Sequence, residues 1–211
     1  MEKNLHTHKK NLIIIGSGGH GRVIKDIALL NGYEDIRFLD DDVNNPLSGG
    51  KVAEYIKFVD SSVFFVAIGN NCVRERIQKQ IESSGGEIIN LIHPAAIISR
   101  DVTLGKGIAI MAGTVINTGA IIEDGCIINT CSSVDHDCHI RAYVHVSVGA
   151  HLAGTIDVGE RVFLCASATV INNVKICSDC IIGANAVVVK DIEIKGTYMG
   201  VPARIKNEKC H

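Results

Sequence analysis

The chain has 211 residues, of which 46% are hydrophobic and 4% aromatic, so it is long enough for two small domains. Its 21 Lys and Arg are mixed evenly with 23 Asp and Glu, which disfavours binding to nucleic acid or an anionic membrane and favours a small-molecule partner. No apolar run approaches the roughly 18 residues of a membrane span, and no signal-peptide core is evident, so we expect a cytoplasmic protein.

The first predicted elements are a strand, a glycine-rich turn and a helix. An apolar run predicts a strand over residues 11–15, and the sequence after the turn predicts a helix over 19–30. Within that helix, Val23, Ile27 and Leu30 are spaced four and three apart. We therefore expect these three side chains to share one face of the helix.

The next elements complete a small α/β domain. A second strand is predicted over 36–39, and a third, in SVFFVAIGNN, is expected to end at Gly69 before a helix over 72–81. The segment GEIINLIHP predicts a last strand, closed by Pro94. The sequence thus predicts a Rossmann-like α/β domain over residues 1–94.

The glycine-rich turn GSGGHG indicates a phosphate site. It has G-x-G-x-x-G spacing, at Gly16, Gly18 and Gly21. This pattern fits NAD, with pyrophosphate at the helix N-terminus and Asp40 on a ribose. A domain of about 80 residues is only half of a full dinucleotide fold, so a nucleoside diphosphate is the better-sized ligand. His20, Asp40 and Asp41 favour a nucleotide-sugar, and a tight turn without a ligand is the alternative.

The second half of the chain is a six-residue repeat. Its third position is aliphatic seventeen times in succession, from Ile98 to Ile194. The first position holds a small or branched residue, and Gly, Asp and Asn are common at the last position. Two inward positions followed by turn-forming residues describe a short strand and a corner. Three such strands form one triangular coil, so the repeat predicts a parallel β-helix over residues 95–211 with a C-terminal cap.

The repeat also separates the histidines. His139, His145 and His151 occupy the second position of consecutive hexads, so we expect them on three different faces, where they cannot share a metal within one chain. His136 lies at a corner and precedes Asp137. It is either a solvated surface residue or a base that approaches His145 only where copies of the β-helix pack side by side.

The cysteines divide into two groups. First positions of the repeat hold Cys126, Cys138 and Cys180, which we expect to be small buried residues. Outer or corner positions hold Cys131, Cys165 and Cys177. We assign no C-x-x-C spacing to these last three, so we expect no structural zinc site, with zinc shared between chains left open. We expect all of the cysteines to be reduced thiols.

Several motifs in the same order resemble the PglD/NeuD family of bacterial sugar acyltransferases. They are GSGGHG, FLDDD, AIGNN, LIHP, NTCSSVDHDC, VHVSVGAHLAG and GVPAR, and they extend over nearly the whole chain. The resemblance implies a left-handed β-helix and a homotrimer with active sites between subunits. The likeness is greatest to the branch that uses acetyl-CoA, without a metal, to acetylate the 4-amino group of a UDP-linked 4-amino-4,6-dideoxy sugar.

The same resemblance assigns roles to individual residues. It implies that His136 is the general base and that Asp137 raises its basicity, although that branch often has the longer Glu at this position. Contacts with acetyl-CoA are implied for His145, Ala166 and Ala184. Contacts with the nucleotide-sugar are implied for Gly18, Gly19, His20, Asp40, Asp41 and Gly69.

Three other functions remain open from the sequence. A sialic-acid-type sugar O-acetyltransferase would use the same machinery without binding UDP. A zinc hydratase on the same β-helix would contain metal, bound by histidines of two subunits. A non-catalytic NAD sensor would be stabilised by NAD and not by UDP or CoA.

Overall fold

The computed structural model describes residues 11–42 and 44–206. The chain folds into a small α/β unit followed by a parallel β-helix, which confirms the predicted fold class. The ends of the two predicted domains, residues 1–10 and 207–211, lie outside the described residues, and the division at residue 94 stays a prediction. Within the described ranges, no helix combines the length and apolar character needed to cross a membrane.

The α/β unit is a parallel sheet between two helical layers. Its strands, in the order β2-β1-β3-β4, are β1 (Asn11–Ile15), β2 (Ile36–Leu39), β3 (Ser62–Val66) and β4 (Glu87–Ile88). Its helices are α1 (Gly19–Leu30), a 3-10 helix (Val52–Phe58) and α2 (Asn71–Ser83). Alternation along β1 turns Leu12 and Ile14 towards α1, and Ile13 and Ile15 towards α2. Both faces of the sheet are therefore buried.

The face of α1 that carries Val23, Ile27 and Leu30 is only partly buried, because Ile27 alone of the three is covered. Val23 is 44% exposed and Leu30 57% exposed, whereas Ile24, Ile27 and Ala28 are buried. Gly21 packs so closely on the carbonyl of Gly16 that a Cβ there would collide with it. With Gly21 held at this contact, Ile24, Ile27 and Ala28 face the sheet, so the buried face of α1 overlaps the predicted one only at Ile27.

Three boundaries also differ from the prediction. Strand β3 ends at Val66 rather than Gly69, and α2 begins one residue earlier and ends two residues later than predicted. The start of α2 is fixed by Asn70, whose side chain accepts the Val73 N–H at 3.0 Å. The predicted last strand is two strands, because Asn90 leaves the α/β sheet and bonds the Gly105 carbonyl and the Ile108 N–H of the β-helix.

The β-helix has three parallel faces. The first face contains β5 (Leu91–Ile92), β8 (Ala109–Ile110), β11 (Ile127–Ile128), β14 (His145–Val146), β17 (Phe163–Leu164), β20 (Ile181–Ile182) and β22 (Thr197–Met199), with β23 (Arg204–Ile205) antiparallel at its end. The second face contains β6 (Ile97–Ile98), β9 (Val115–Ile116), β12 (Ser133–Val134), β15 (His151–Leu152), β18 (Thr169–Val170) and β21 (Val187–Val188). The third face contains β7 (Thr103–Leu104), β10 (Ile121–Ile122), β13 (His139–Ile140), β16 (Asp157–Val158) and β19 (Lys175–Ile176).

The six-residue repeat predicts the buried positions correctly through most of the β-helix. Every third-position side chain from Ile110 to Val188 is at most 2% exposed. The last position of the hexads is left-handed, at glycines such as Gly119 and at nine non-glycine residues. Ile194 breaks the frame: it is 68% exposed, and Ile192 instead pairs with Ile176 sixteen positions earlier. The last coil is therefore two residues shorter than the regular repeat.

One guanidinium joins the two domains. Arg74, on α2, is fully buried and donates to carbonyls of the β-helix at Gly125 (2.6 Å) and Tyr143 (2.8 Å). It also donates to the carbonyls of Ile68 and Gly69, at 2.9 and 3.2 Å, and to the Asn71 amide oxygen at 2.8 Å. All five of its N–H donors thus have oxygen partners, which a planar fork can satisfy and a lysine cannot.

We predict that Arg74→Met lowers the free energy of unfolding by at least about 3 kcal/mol, because each buried carbonyl left without a donor costs about 1–3 kcal/mol. Urea unfolding of the full chain measures this change. The matched control is Arg76→Met, at an exposed position of the same helix, which we expect to stay within about 0.5 kcal/mol of the wild type. A value for Arg74→Met as small as that of the control would contradict the interdomain role.

Candidate active site

The N-terminus of α1 is open to an anion. Gly18 is its N-cap, without a capping side-chain hydrogen bond, and a Cβ built on Gly18 would meet no atom within 4 Å. Gly69, on the neighbouring loop, is equally unobstructed, and Gly19 faces only the distant end of a side chain. The unpaired N–H groups of a first helical turn and the helix dipole favour a phosphate at such a position.

The two predicted acidic contacts, Asp40 and Asp41, both accept backbone hydrogen bonds but differ in burial and in position. The Asp40 carboxylate accepts hydrogen bonds from the Ser17 N–H and Oγ, both at 2.7 Å, and from the Asp42 N–H at 3.0 Å. Burial raises the pKa of Asp40, but these hydrogen bonds outweigh it and the net pKa is lowered. Asp40 therefore braces the turn, whereas Asp41 is exposed and borders a separate cavity of about 430 Å³.

A larger cavity lies between the α/β unit and the first face. Its volume is about 490 Å³, and His145 and Phe163 border it from the first face. From the α/β unit it is bordered by the segment from Gly69 to Cys72. His20 lies close enough to His145 for their charges to interact. The fold thus brings together Gly69, His20 and His145, which are far apart in sequence.

The orientation of His145 follows from its neighbours. Asn129 presents its Nδ2 to His145 Nε2 at 3.1 Å, while the Asn129 Oδ1 accepts the Thr130 N–H at 2.8 Å. Because the amide NH₂ donates, His145 Nε2 accepts, and a neutral ring carries its proton on Nδ1. Nδ1 is buried and forms no close hydrogen bond among the described residues, as is also true of His20 Nε2. The Gly69 backbone lies near enough to the His145 ring to oppose, weakly, the lowering of its pKa.

Both histidines are held neutral. Burial and then the Arg74 charge lower the pKa of His20 from 6.5 to about 4. Burial, Arg74 and His20, in that order, lower the pKa of His145 from 6.5 to about 3. Near neutral pH, His145 is therefore an uncharged ring with an unsatisfied N–H donor beside the cavity.

His136 differs from His20 and His145: it is exposed, it contacts the carboxylate of Asp137, and its pKa is raised rather than lowered. His136 Nδ1 lies 2.8 Å from Asp137 Oδ2, and its side chain is 52% exposed. Asp137 therefore reaches the ring despite being shorter than Glu, and its backbone is left-handed, with φ of 56°. The hydrogen bond that His136 donates to Asp137 raises the pKa of His136, burial opposes this, and the charges of Asp135 and Asp137 raise it further. This arrangement leaves His136 Nε2 as the proton acceptor.

The two groups lie on different sides of the chain. His136 occupies the corner between β12 and β13, that is, between the second and third faces, which is opposite the first face. His139, His145 and His151 lie on the third, first and second faces, as predicted, but His145 is buried rather than pointing into solvent. One chain therefore does not bring the His136 pair to the cavity that His145 borders.

Ala166 and Ala184 lie one coil apart, at the corner between the first and second faces. Both are exposed, and in the described part of the chain neither backbone N–H donates a hydrogen bond. They provide two stacked amide donors on the side of the first face, which suits an extended ligand with carbonyl groups.

Two supporting residues carry no sequence signal. Arg74 looks like a surface charge on an amphipathic helix, and Asn129 like an ordinary corner residue of the repeat. Their roles depend on contacts between segments 51 and 16 residues apart, respectively. Within residues 11–42 and 44–206, no cluster of three or more His, Cys, Asp or Glu side chains is placed to hold a metal ion.

Comparison with known proteins identifies the family. A family model described as the PglD N-terminal domain matches residues 11–81. Perosamine N-acetyltransferase from Caulobacter crescentus, solved as a histidine-to-asparagine variant in complex with CoA and GDP-perosamine, is 38% identical. It superposes with a TM-score of 0.90, over 94% of this chain and 97% of that chain.

Two further proteins are similar. The acetyltransferase domain of PglB from Neisseria gonorrhoeae is 35% identical, with a TM-score of 0.89 over 94% of this chain and 100% of that chain, and it has also been solved with acetyl coenzyme A. UDP-N-acetylbacillosamine N-acetyltransferase from Bacillus subtilis is 37% identical over 114 residues, 49% of this chain and 52% of that protein, so the chain spans about half the length of this curated relative. On this agreement in sequence and fold, the chain belongs to the PglD-type family of hexapeptide-repeat sugar acyltransferases.

Proposed function

We propose that this protein transfers an acetyl group from acetyl-CoA to the 4-amino group of a UDP-linked 4-amino-4,6-dideoxy sugar. The observation that carries the proposal is the His136–Asp137 pair, an exposed imidazole whose Nδ1 is held by a carboxylate and whose Nε2 is free to accept a proton. The Bacillus subtilis and Caulobacter crescentus relatives are named for amino sugars, and the Caulobacter crescentus and Neisseria gonorrhoeae proteins were solved with CoA or acetyl-CoA.

The chemistry requires a base and no covalent enzyme intermediate. The amine nitrogen attacks the thioester carbonyl, and His136 Nε2 accepts the proton that the nitrogen loses. The tetrahedral intermediate then collapses, the C–S bond breaks, and the proton held by His136 becomes available to the departing CoA thiolate. Asp137 stabilises the imidazolium formed between these steps, as a carboxylate beside an imidazole does in other acyl transfers.

The first face and its corner suit acetyl-CoA. The free N–H groups of Ala166 and Ala184 are placed to donate to the amide carbonyls of the pantetheine arm. The Nδ1–H of neutral His145 is a buried donor that gains a partner when a carbonyl enters the cavity. Because such a donor is already oriented and desolvated, it also stabilises negative charge that develops on the thioester oxygen.

A complete site requires two copies of the chain. Gly18, Gly69 and His145 lie on one side of the molecule, and His136 lies at the opposite corner of the β-helix. We therefore place each active site between subunits of a homotrimer, with the nucleotide-sugar on the α/β unit of one chain and the base supplied by its neighbour. Acetyl-CoA and a nucleotide-sugar are the proposed substrates, and we accordingly place the protein in the cytoplasm.

The proposed reaction is tested by incubating the protein with acetyl-CoA and following the sugar by mass spectrometry. We expect a UDP-4-amino-4,6-dideoxy sugar to gain one acetyl group, and the matching UDP-sugar with a 4-hydroxyl group to gain none. A GDP-linked amino sugar and a sialic acid compete in the same mixture. Acetylation of the GDP-sugar alone would contradict the assigned nucleotide, and acetylation of the sialic acid alone would contradict N-acetylation.

We predict that His136→Ala lowers kcat by about 10²–10⁴-fold, the usual contribution of a general base. The matched control is His139→Ala, which also breaks a histidine–carboxylate pair, with Glu123 at 2.6 Å, but on the third face. We expect the control to retain most of its activity and both variants to keep the oligomeric state of the wild type. Equal activity in the His136 variant and the wild type would defeat the assignment.

The pH profile tests Asp137 separately. Activity should fall as the pH drops through the pKa of His136, because the protonated ring cannot accept a proton, and that pKa is raised above the ordinary 6.5. Asp137→Asn removes the largest cause of the increase, so we expect the acidic limb of kcat/KM to move to lower pH. Asn tolerates the left-handed backbone at this position.

Asp101→Asn is the control for this profile, because Asp101 is also an exposed carboxylate of the β-helix and accepts a hydrogen bond from the Thr118 hydroxyl rather than from a histidine. The acidic limb of the kcat/KM profile of Asp101→Asn should coincide with that of the wild type. An unchanged limb in Asp137→Asn would show that Asp137 does not tune the base.

A further inference from the structure

Cys177 and Cys180 form a pair that the proposed reaction does not use. The expectation that Cys177 lacks C-x-x-C spacing is wrong, because the segment CSDC spaces it in this way from Cys180, and their Sγ atoms lie 3.4 Å apart. The hexad frame places the two residues in different repeats, Cys177 at a corner and Cys180 in the interior, so the repeat alone does not pair them.

The turn between the two cysteines holds the sulfurs together. Asp179 adopts a left-handed conformation, with φ of 60°, at the corner where the chain turns from the third face to the first between Cys177 and Cys180. Its carboxylate is fixed by Arg161, which donates to Oδ1 at 2.8 Å and to Oδ2 at 3.1 Å. Arg161 also contacts Glu75 of α2 at 3.2 Å. Because Arg161 ties this corner to α2, the two thiols stay close together without a covalent bond between them.

The two thiols differ in access. Cys177 is partly exposed, whereas Cys180 is buried and borders the cavity of about 490 Å³. Burial, followed by the hydrogen bond with Cys177, raises the pKa of Cys180 to about 12. An external reagent therefore meets Cys177 first, and Cys180 is the resolving thiol.

We propose that Cys177 and Cys180 are a reversible dithiol–disulfide site in the cavity wall, oxidised by low-molecular-weight disulfides. The Cys177 thiolate attacks a disulfide RSSR, forms a mixed disulfide and releases one RS⁻. The Cys180 sulfur, on losing its proton, attacks Cys177 Sγ, forms the intrachain bond and releases the second RS⁻. The protein loses two electrons and two protons, and RSSR is reduced to two thiols. The sulfurs close from 3.4 Å to the roughly 2.05 Å of a disulfide.

Peptide mass spectrometry tests this directly, because trypsin cleavage after Lys175 and Lys190 yields one peptide with both cysteines and no others. The folded full-length protein is treated with oxidised glutathione, quenched with acid, alkylated under denaturing conditions and digested. We expect most of this peptide to lose the mass of two hydrogen atoms and to carry no alkyl group, and dithiothreitol to reverse the change.

A peptide that keeps two alkylated cysteines, or that ends with glutathione on Cys177, would overturn the proposal. So would a cross-link between Cys180 and Cys72, which borders the same cavity. Cys180→Ser should trap glutathione on Cys177. Cys165→Ser, the control at another corner, should leave the intrachain disulfide unchanged. None of these measurements depends on acetyl transfer, so failure of the disulfide proposal is distinct from failure of the proposed function.

Discussion

The buried guanidinium of Arg74 is the interaction on which the rest of the structure depends. It has oxygen partners for all five N–H groups, yet none of these partners is a carboxylate, so its charge is solvated by dipoles alone. Burial lowers its pKa only to about 10, so it stays charged near neutral pH. The contact joins the α/β unit to the β-helix and fixes the loop at Gly69. The same charge helps to keep His20 and His145 neutral.

The acidity of the histidines therefore depends on which side of the molecule they occupy. On the side of Arg74, burial and a nearby cation produce neutral rings with unsatisfied nitrogen atoms. At the opposite corner, solvent and the carboxylate of Asp137 raise the pKa of His136. A donor and a base with different pKa values are what an acyl transfer without a metal requires. Because one chain separates them across the width of the β-helix, packing of copies is part of the proposed chemistry.

The sequence predicted the features that repeat. A six-residue period over seventeen aliphatic positions leaves little freedom, because each slip would expose an apolar side chain or bury a polar one. It failed where a single contact overrides the pattern. With Gly21 held against Gly16, α1 buries Ile24, Ile27 and Ala28 and leaves Val23 and Leu30 exposed. At the end of the β-helix, a coil shortened by two residues exposes Ile194.

The candidate site was predictable where motifs are local and unpredictable where they are not. Gly18 lies in a turn with recognisable spacing, and the roles proposed for His136 and Asp137 come from the resemblance of a short local motif to a known family. The part played by Arg74 depends on carbonyl groups of distant residues, which no pattern in the sequence marks. Asp40 is a mixed case, because the motif places it beside the turn and the structure shows that its carboxylate is already occupied by Ser17 and Asp42.

The most direct measurement is complementation between two inactive variants that are defective in opposite half-sites. His136→Ala lacks the base, and Gly18→Val blocks the approach of phosphate at an exposed position where the fold has room for a side chain. The two chains are co-expressed with different tags, and the mixed oligomers are purified through both tags and assayed for acetyl transfer. We predict that mixed oligomers recover activity while each variant alone stays inactive, because some interfaces then pair an intact turn with an intact base. Mixed oligomers without activity would contradict a site built from two subunits.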